Sequence, residues 1–259
     1  MRLEIRAMTR KEAAGRSNQD ALLLGSTVRS KDFHQAFSVV VPNSGMLFAV
    51  ADGVSGAPCP ATASRRVLKI LSELHQLSGA FGTCILRAVQ QRLAEEVAGK
   101  RCFGMATCIA ALHLAPERAT LLHAGDCRIY VQRDGQLKQL TEDHTVIAGM
   151  IRRGEAPPNE RTSYASIYSG VESAIVADPA EAEFEIGWTT VVPRGGDCWV
   201  LCSDGVHDVF TNSALDPTTL NDLLALRDLE GRIHAMSLIN AIARDFSADD
   251  FSLILVYVD

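Results

Sequence analysis

Apolar residues come along this chain in short runs bounded by turn residues. Runs of strand length cover residues 2–7, 21–24, 47–51, 106–114, 120–124, 128–132, 198–202 and 252–258. In the last run Leu253, Ile254, Leu255 and Val256 follow one another without a polar residue, which predicts a strand buried on both faces. After the third run the period changes. Val67, Ile70, Leu71, Leu74 and Leu77 fall on one helical stripe. Ile85, Val89, Leu93 and Val97 fall on a second, with Arg87, Gln91 and Glu95 turned away. A later helical pair is predicted at 217–226 and 231–243. Asp134-Gly135 predicts a tight turn joining 128–132 to a short strand at 136–140. Strands cluster with strands and helices with helices, so the pattern predicts an α+β layered domain rather than alternating strand–helix units.

No Pro/Gly/Ser-rich linker, repeat or low-complexity tract interrupts the 259 residues, and one domain over 1–259 is expected. Residues 145–190 are rich in Arg, Glu, Pro and Asn and weakly periodic, and read as a surface flap. A hydrophobic fraction of 47% supports a packed core, and 22% charged residues is too few for a disordered chain. The acidic balance, net charge −6, offers no footprint for nucleic acid or an anionic membrane. No apolar run approaches the roughly 20 residues of a membrane helix, and the opening Met1-Arg2-Leu3-Glu4-Ile5-Arg6 lacks the apolar core of a secretory signal. A cytoplasmic, soluble monomer without membrane insertion is therefore expected. The seven Cys (59, 84, 102, 108, 127, 198, 202) are odd in number and form no Cys-X-X-Cys pair. Several sit in apolar runs, so reduced buried thiols are expected, neither a disulfide framework nor a zinc site.

The acid has a pattern of its own. Asp52, Asp126 and Asp204 each stand at the end of an apolar strand beside a glycine, and Asp20 and Asp250 each precede a strand. A carboxylate at the edge of a buried strand is costly unless it is paired or bound to a metal. Oxygen ligands without His or Cys favour hard ions such as Mg²⁺ or Mn²⁺. Any one Asp-Gly after a strand reads as a turn, and Asp134-Gly135 is read so. The ordered set is what carries information.

That set resembles the metal-dependent protein phosphatases of the PP2C or PPM family. Gly15-Arg16-Ser17-Asn18-Gln19-Asp20 is similar to the family's opening Arg…Asn-Glu-Asp, and Val50-Ala51-Asp52-Gly53-Val54-Ser55-Gly56 to its Asp-Gly-X-Gly-Gly. Gly104-Met105-Ala106-Thr107, Ala124-Gly125-Asp126-Cys127-Arg128 and Leu140-Thr141-Glu142-Asp143-His144-Thr145 follow in the family's order. Cys202-Ser203-Asp204-Gly205-Val206-His207-Asp208 and Asp249-Asp250-Phe251-Ser252 close the series. The resemblance runs from about Gly15 to Val258. It implies a four-layer αββα sandwich, two antiparallel sheets flanked by helix pairs.

The resemblance also implies roles. Asp52 bridges two Mn²⁺ or Mg²⁺ ions, and the Gly53 carbonyl ligates one of them. Asp204 and Asp250 bind the other, and Asp126, Asp204 and Asp208 hold a third, weaker ion. Asp20 holds metal-bound water, and Arg16 grips the substrate phosphate with its planar fork. The reaction implied is hydrolysis of phosphoserine or phosphothreonine by direct attack of water activated between two ions. Its partners are phosphorylated proteins and a cognate Ser/Thr kinase. No Cys lies in a phosphate-cradling Cys-X5-Arg loop, which counts against a phosphocysteine route. Departures are Gln19 where Glu is usual, Cys127 where Ser is usual, and Val54 where animal relatives carry a general-acid His. His207, three residues after Asp204, reads first as a partly buried His and second as a proton donor; His144 reads as a brace for the flap base. A catalytically silent binding module on the same fold and a small-molecule phosphoester hydrolase are the alternatives.

Overall fold

A computed structural model of the chain describes residues 1–12, 17–157, 170–212, 218–226 and 228–259. Among them, two antiparallel sheets face each other. One runs β4 (Phe33–Val40), β1 (Arg2–Arg10), β13 (Phe251–Val258), β12 (Cys198–Cys202), β8 (Arg128–Arg133) and β9 (Gln136–Gln139). The other runs β11 (Gly187–Val191), β7 (Arg118–Ala124), β6 (Ala106–Ala115), β5 (Met46–Gly53), β2 (Asp20–Leu24) and β3 (Thr27–Arg29), with β10 (Ile175–Val176) paired to the start of β6.

Strand alternation fills three apolar layers. Phe48, Val50, Leu112, Trp199, Leu201, Ile254 and Val256 meet between the sheets. The opposite face of the second sheet (Leu23, Ala49, Ile109, Leu122) receives helix α1 (Pro60–Ser78) through Val67, Ile70 and Leu71, and α2 (Thr83–Val97) through Ile85, Val89 and Leu93. The outer face of the first sheet (Val200, Leu253, Leu255, Tyr257) carries α4 (Asp204–Asn212), α5 (Thr219–Leu224) and α6 (Leu229–Phe246) through Val206, Phe210, Leu224 and Ile239. The continuous run in β13 is thus buried on both faces: Ile254 and Val256 point to the other sheet, Leu253 and Leu255 to helices. The architecture is the α+β sandwich, helix–sheet–sheet–helix, that the pattern and the resemblance imply.

Several elements differ from the sequence reading. The apolar stripe of α1 ends at Leu74, because Leu77, in the last turn, projects past the sheet and is 82% exposed. β4 escapes the strand reading because it is an edge strand with a mostly exposed burial pattern and only Phe33, Phe37 and Val39 turned to the core. Residues 145–190 are more than a surface excursion. They include α3 (Val146–Arg152) and β10, and β11 begins at Gly187 and pairs with β7. The hairpin at Asp134-Gly135 forms as read, with both residues at positive φ (52° and 79°), the geometry of a primed turn. The expectation for the thiols is corrected. Cys59 and Cys102 form a disulfide, with Cα atoms 5.6 Å apart, while Cys84, Cys108, Cys127, Cys198 and Cys202 remain thiols. The two lie 43 residues apart, and only the return of the α1–α2 hairpin to the start of β6 brings them together.

Candidate metal-dependent active site

The acidic positions converge at one end of the sandwich because the strands that carry them end there. Asp20 opens β2 and Asp52 lies near the end of β5, and antiparallel pairing sets them directly opposite each other. On the other sheet, β12 and β13 pair Cys202 with Leu253. That register brings Asp204, two residues past β12, beside Asp250, one residue before β13. Asp126 sits in the three-residue link by which the chain passes from β7 in one sheet to β8 in the other. Its neighbour Gly125 has φ +97°, and a β-carbon there would fall 2.3 Å from the Cys108 sulfur.

Asp20 is fully buried. Its Oδ2 accepts from the Ser203 hydroxyl at 2.8 Å, and its Oδ1 is buried with no hydrogen-bond partner. Burial, opposed by hydrogen bonds from Ser203 and Ser252 and reinforced by Asp204 and Asp250, pushes its pKa up to about 8. Asp52 is raised well above the carboxylate range by burial and then by Asp20, Asp204 and Asp126. The carboxyls of Asp52 and Asp204 hydrogen-bond to each other. Asp204 rises to about 7, first from burial and then from Asp126 and Asp249. Burial also raises Asp126, against a hydrogen bond from the Cys108 thiol and the nearby His207. Asp20 is fully buried and Asp52, Asp126 and Asp204 are half-buried, so these are like charges gathered partly out of water, an arrangement that holds protons unless a cation replaces them.

The remaining positions are held by their neighbours. Asp250 accepts from the Glu12 N–H on Oδ1 (2.8 Å) and from the Gln19 N–H on Oδ2 (2.6 Å). The Thr107 hydroxyl donates to the Asp52 carbonyl at 2.6 Å, and the Gly53 N–H donates to the Gln19 carbonyl at 3.1 Å. Asp208 is exposed and 3.1 Å from His207 Nδ1, while His207 Nε2 lies 3.1 Å from the Asp126 carbonyl. His207 is thus buried between the Asp126 link and α4. A cleft of about 310 Å³ opens beside the acids, lined by Asp204, Asp208, Val209, Phe246, Ser247 and Asp249. Arg16 lies outside the described residues.

Among the described residues no group of three or more His, Cys, Asp or Glu side chains stands ready to hold an ion as it is. Asp250 is engaged by backbone N–H groups and Asp208 is directed to the rim. The donor set still fits a hard divalent ion on two observations. The converging donors are oxygens, and Asp20 keeps a buried carboxylate oxygen that nothing else satisfies.

Sequence reading missed Ser203 and Cys108 as supports of Asp20 and Asp126. Ser203 lies 183 residues from Asp20, so adjacency to Asp204 in a motif was the one available signal. His144, read as a brace, accepts the Gly125 N–H on Nδ1 at 3.2 Å and stacks on His123 with ring centroids 4.7 Å apart.

Known proteins resemble this chain in sequence and in fold. The chain is 31% identical over 176 residues to the serine/threonine protein phosphatase PstP of Mycobacterium tuberculosis, an overlap of 65% of this chain and 33% of that protein. It therefore spans about a third of the length of that relative. With the serine/threonine phosphatase stp of Listeria monocytogenes it shares 27% identity over 183 residues, 64% of this chain and 69% of the relative. The fold superposes on the crystal structure of the PstP catalytic domain in complex with two manganese ions with a TM-score of 0.70 and 23% identity, all of both chains being covered. The family described as protein phosphatase 2C matches residues 9–237. The chain belongs to the protein phosphatase 2C family.

Proposed function

We propose that the chain is a metal-dependent protein serine/threonine phosphatase, active as a monomer on phosphoproteins and opposing a cognate Ser/Thr kinase. The observation that carries this reading is the contact between the Asp52 and Asp204 carboxyls, with the unsatisfied Asp20 oxygen beside them, in a chain of this family. Asp52 and the Gly53 carbonyl would hold one Mn²⁺ or Mg²⁺. Asp52, Asp204 and Asp250 would hold a second, and Asp126, Asp204 and Asp208 a third, weaker ion. When bound, such ions neutralise charge on a transferring phosphoryl group and lower the pKa of the attacking water.

The chain's own groups supply the rest. Asp20 accepts a hydrogen bond from the attacking water and aligns it, with Ser203 fixing its rotamer. The Asp250 carboxylate fixes the backbone at Glu12 and Gln19, the residues on either side of the segment that carries Arg16. Arg16 then grips the phosphate. Exposed Asp208 and Asp249 keep the rim of the cleft acidic.

The test is hydrolysis of a phosphothreonine peptide and of p-nitrophenyl phosphate with Mn²⁺, Mg²⁺ or EDTA. Activity on the peptide should require the divalent ion. Asp204→Asn should lower kcat by about 100-fold or more, the scale of losing a main electrostatic support of a transition state. Peptide hydrolysis that survives EDTA sinks the mechanism. Turnover of the small ester alone favours a small-molecule hydrolase, and turnover of neither a silent binding module.

A further inference from the structure

The loop that follows Asp52 and Gly53 is tied covalently to the loop that precedes β6, through Cys59 and Cys102. Both residues are half-buried, packed against the core beneath α1 and α2 yet open to solvent. Cys59 is the N-cap of α1 and is held at φ 52°, ψ 49°, the left-handed region, directly before Pro60. A residue with a β-carbon adopts that region only under constraint, and a following proline disfavours helical conformations further. The disulfide is the covalent constraint at that position.

Two sets of contacts carry the tie to the Asp52–Gly53 end of β5, which pairs with Cys108 and Thr107 of β6. On one side the Pro60 carbonyl abuts Gly53 so closely that a β-carbon on Gly53 would lie 2.3 Å from it. On the other, the Val54 N–H donates to the Ala106 carbonyl at 3.0 Å and the Thr107 hydroxyl to the Asp52 carbonyl at 2.6 Å. The Met105 N–H donates to the Cys102 carbonyl, which fixes the approach to β6. Helix α1 and strand β6 therefore hold this strand end from two sides, and the disulfide links the residues that lead into these two holders.

We propose that Cys59 and Cys102 form a reversible redox site that controls the Asp52–Gly53 end of β5: the disulfide keeps that strand end in place for metal binding, and reduction loosens it. The effect on metal rests on the reading of Asp52 and Gly53 as ligands; the effect on the strand end does not. The reductant is a dithiol. One of its thiolates attacks a sulfur of the pair, the S–S bond breaks, and a mixed disulfide forms while the other sulfur leaves as a thiolate. The second thiol of the reductant then displaces the remaining cysteine. Two electrons and two protons pass to Cys59 and Cys102, and the dithiol ends as a disulfide. Cys59 is the favoured leaving sulfur, because the N-terminus of the 19-residue α1 stabilises negative charge there. Disulfides of this exchangeable kind act as switches where thiols are otherwise kept reduced.

The experiment compares the full chain before and after dithiothreitol, with the reagent removed. Cys84 is the exposed free thiol among the described residues, so thiols titratable in the folded protein should rise from one to three. Amide exchange over residues 50–60 and 102–108 should speed up several-fold while β12 and β13 stay protected, showing that the fold persists. The Mn²⁺ concentration for half-saturation should rise several-fold, and re-oxidation should reverse all three changes. C59A/C102A should show the reduced values and ignore dithiothreitol, and C102A should match it, which separates loss of the bridge from relaxation of residue 59. A thiol count that stays at one overturns the proposal. So do two new thiols with exchange and Mn²⁺ demand unchanged. Exchange that responds in a protein with no metal-dependent activity in either state supports control of the strand end and sinks the phosphatase reading alone.

Discussion

Asp20 and Asp204 show at single residues what the site costs the protein when no cation is present. In an unfolded chain each would release its proton near the ordinary carboxylate value of 3.8, whereas burial first, and then neighbouring carboxyls, holds them at about 8 and about 7 in the fold. Through the window from about pH 4 to about pH 8 the folded state therefore binds more protons than the unfolded one, and stability falls as pH rises. Metal-free protein should melt at a lower temperature at pH 8 than at pH 5, by thermal unfolding in EDTA, and Asp204→Asn should flatten that fall. A profile that is level or rises with pH would remove burial as the cause. The positions of the acids were legible in the sequence, since each is marked by the strand before it or after it, and Asp52, Asp126 and Asp204 also by an adjoining glycine. Their supports were not. Ser203 meets Asp20, and Asp250 meets the Glu12 and Gln19 amides, across separations of 183, 238 and 231 residues. No local pattern encodes such contacts.

Elements bring those distant residues together by close backbone approach, and glycine marks where. At the start of α4 a β-carbon on Gly205 would fall 2.1 Å from the Asp250 carbonyl, so the helix start and the approach to β13 touch backbone to backbone. Gly205→Ala must push them apart. Forced overpacking costs about 1–3 kcal/mol, or about 3–10 °C in Tm for a domain of this size, and the displaced Asp204 and Asp250 should lower phosphatase activity at least several-fold. Gly135→Ala is the control. Its β-carbon meets nothing, its cost is a positive φ of 79°, and it should lower Tm slightly and leave activity intact. Equal losses of activity in the two variants would mean that the close approach at Gly205 does not position the acids. The same distinction explains which elements could be read in advance. β13 and α2 have faces decided by burial, and hydrophobic period reports burial. β4, β10 and β11 lie at sheet margins, where one neighbour supplies the pairing and few apolar residues are needed, so their identity depends on the partner strand more than on their own sequence.

Across the whole molecule the site is a seam between two sheets. Asp20 and Asp52 belong to one sheet, Asp204 and Asp250 stand beside strands of the other, and Asp126 lies in a link between them. The apolar layer between the sheets holds them together along their length, while at this end they meet through carboxyls that repel once ionised. Divalent ions bound there would cross-link the sheets and bring the formal charge of −6 to about −2 with two ions. Binding to the folded state alone stabilises it by mass action, by about 2.7 kcal/mol at one hundred times Kd, which is about 5–10 °C in Tm at this chain length. Mn²⁺ should therefore raise Tm by that amount at pH 7.5, EDTA should return it, and the rise should saturate over the concentrations that saturate activity. Asp52→Asn, which removes the carboxylate proposed to hold both ions, should abolish most of the rise while leaving the metal-free protein as stable as the parent or more so, because the fold no longer has to keep that carboxyl protonated among its acidic neighbours. A full Tm response in that variant would place the ions elsewhere than at the seam, and a Tm response that saturates far from the activity would separate the stabilising ion from the working ones.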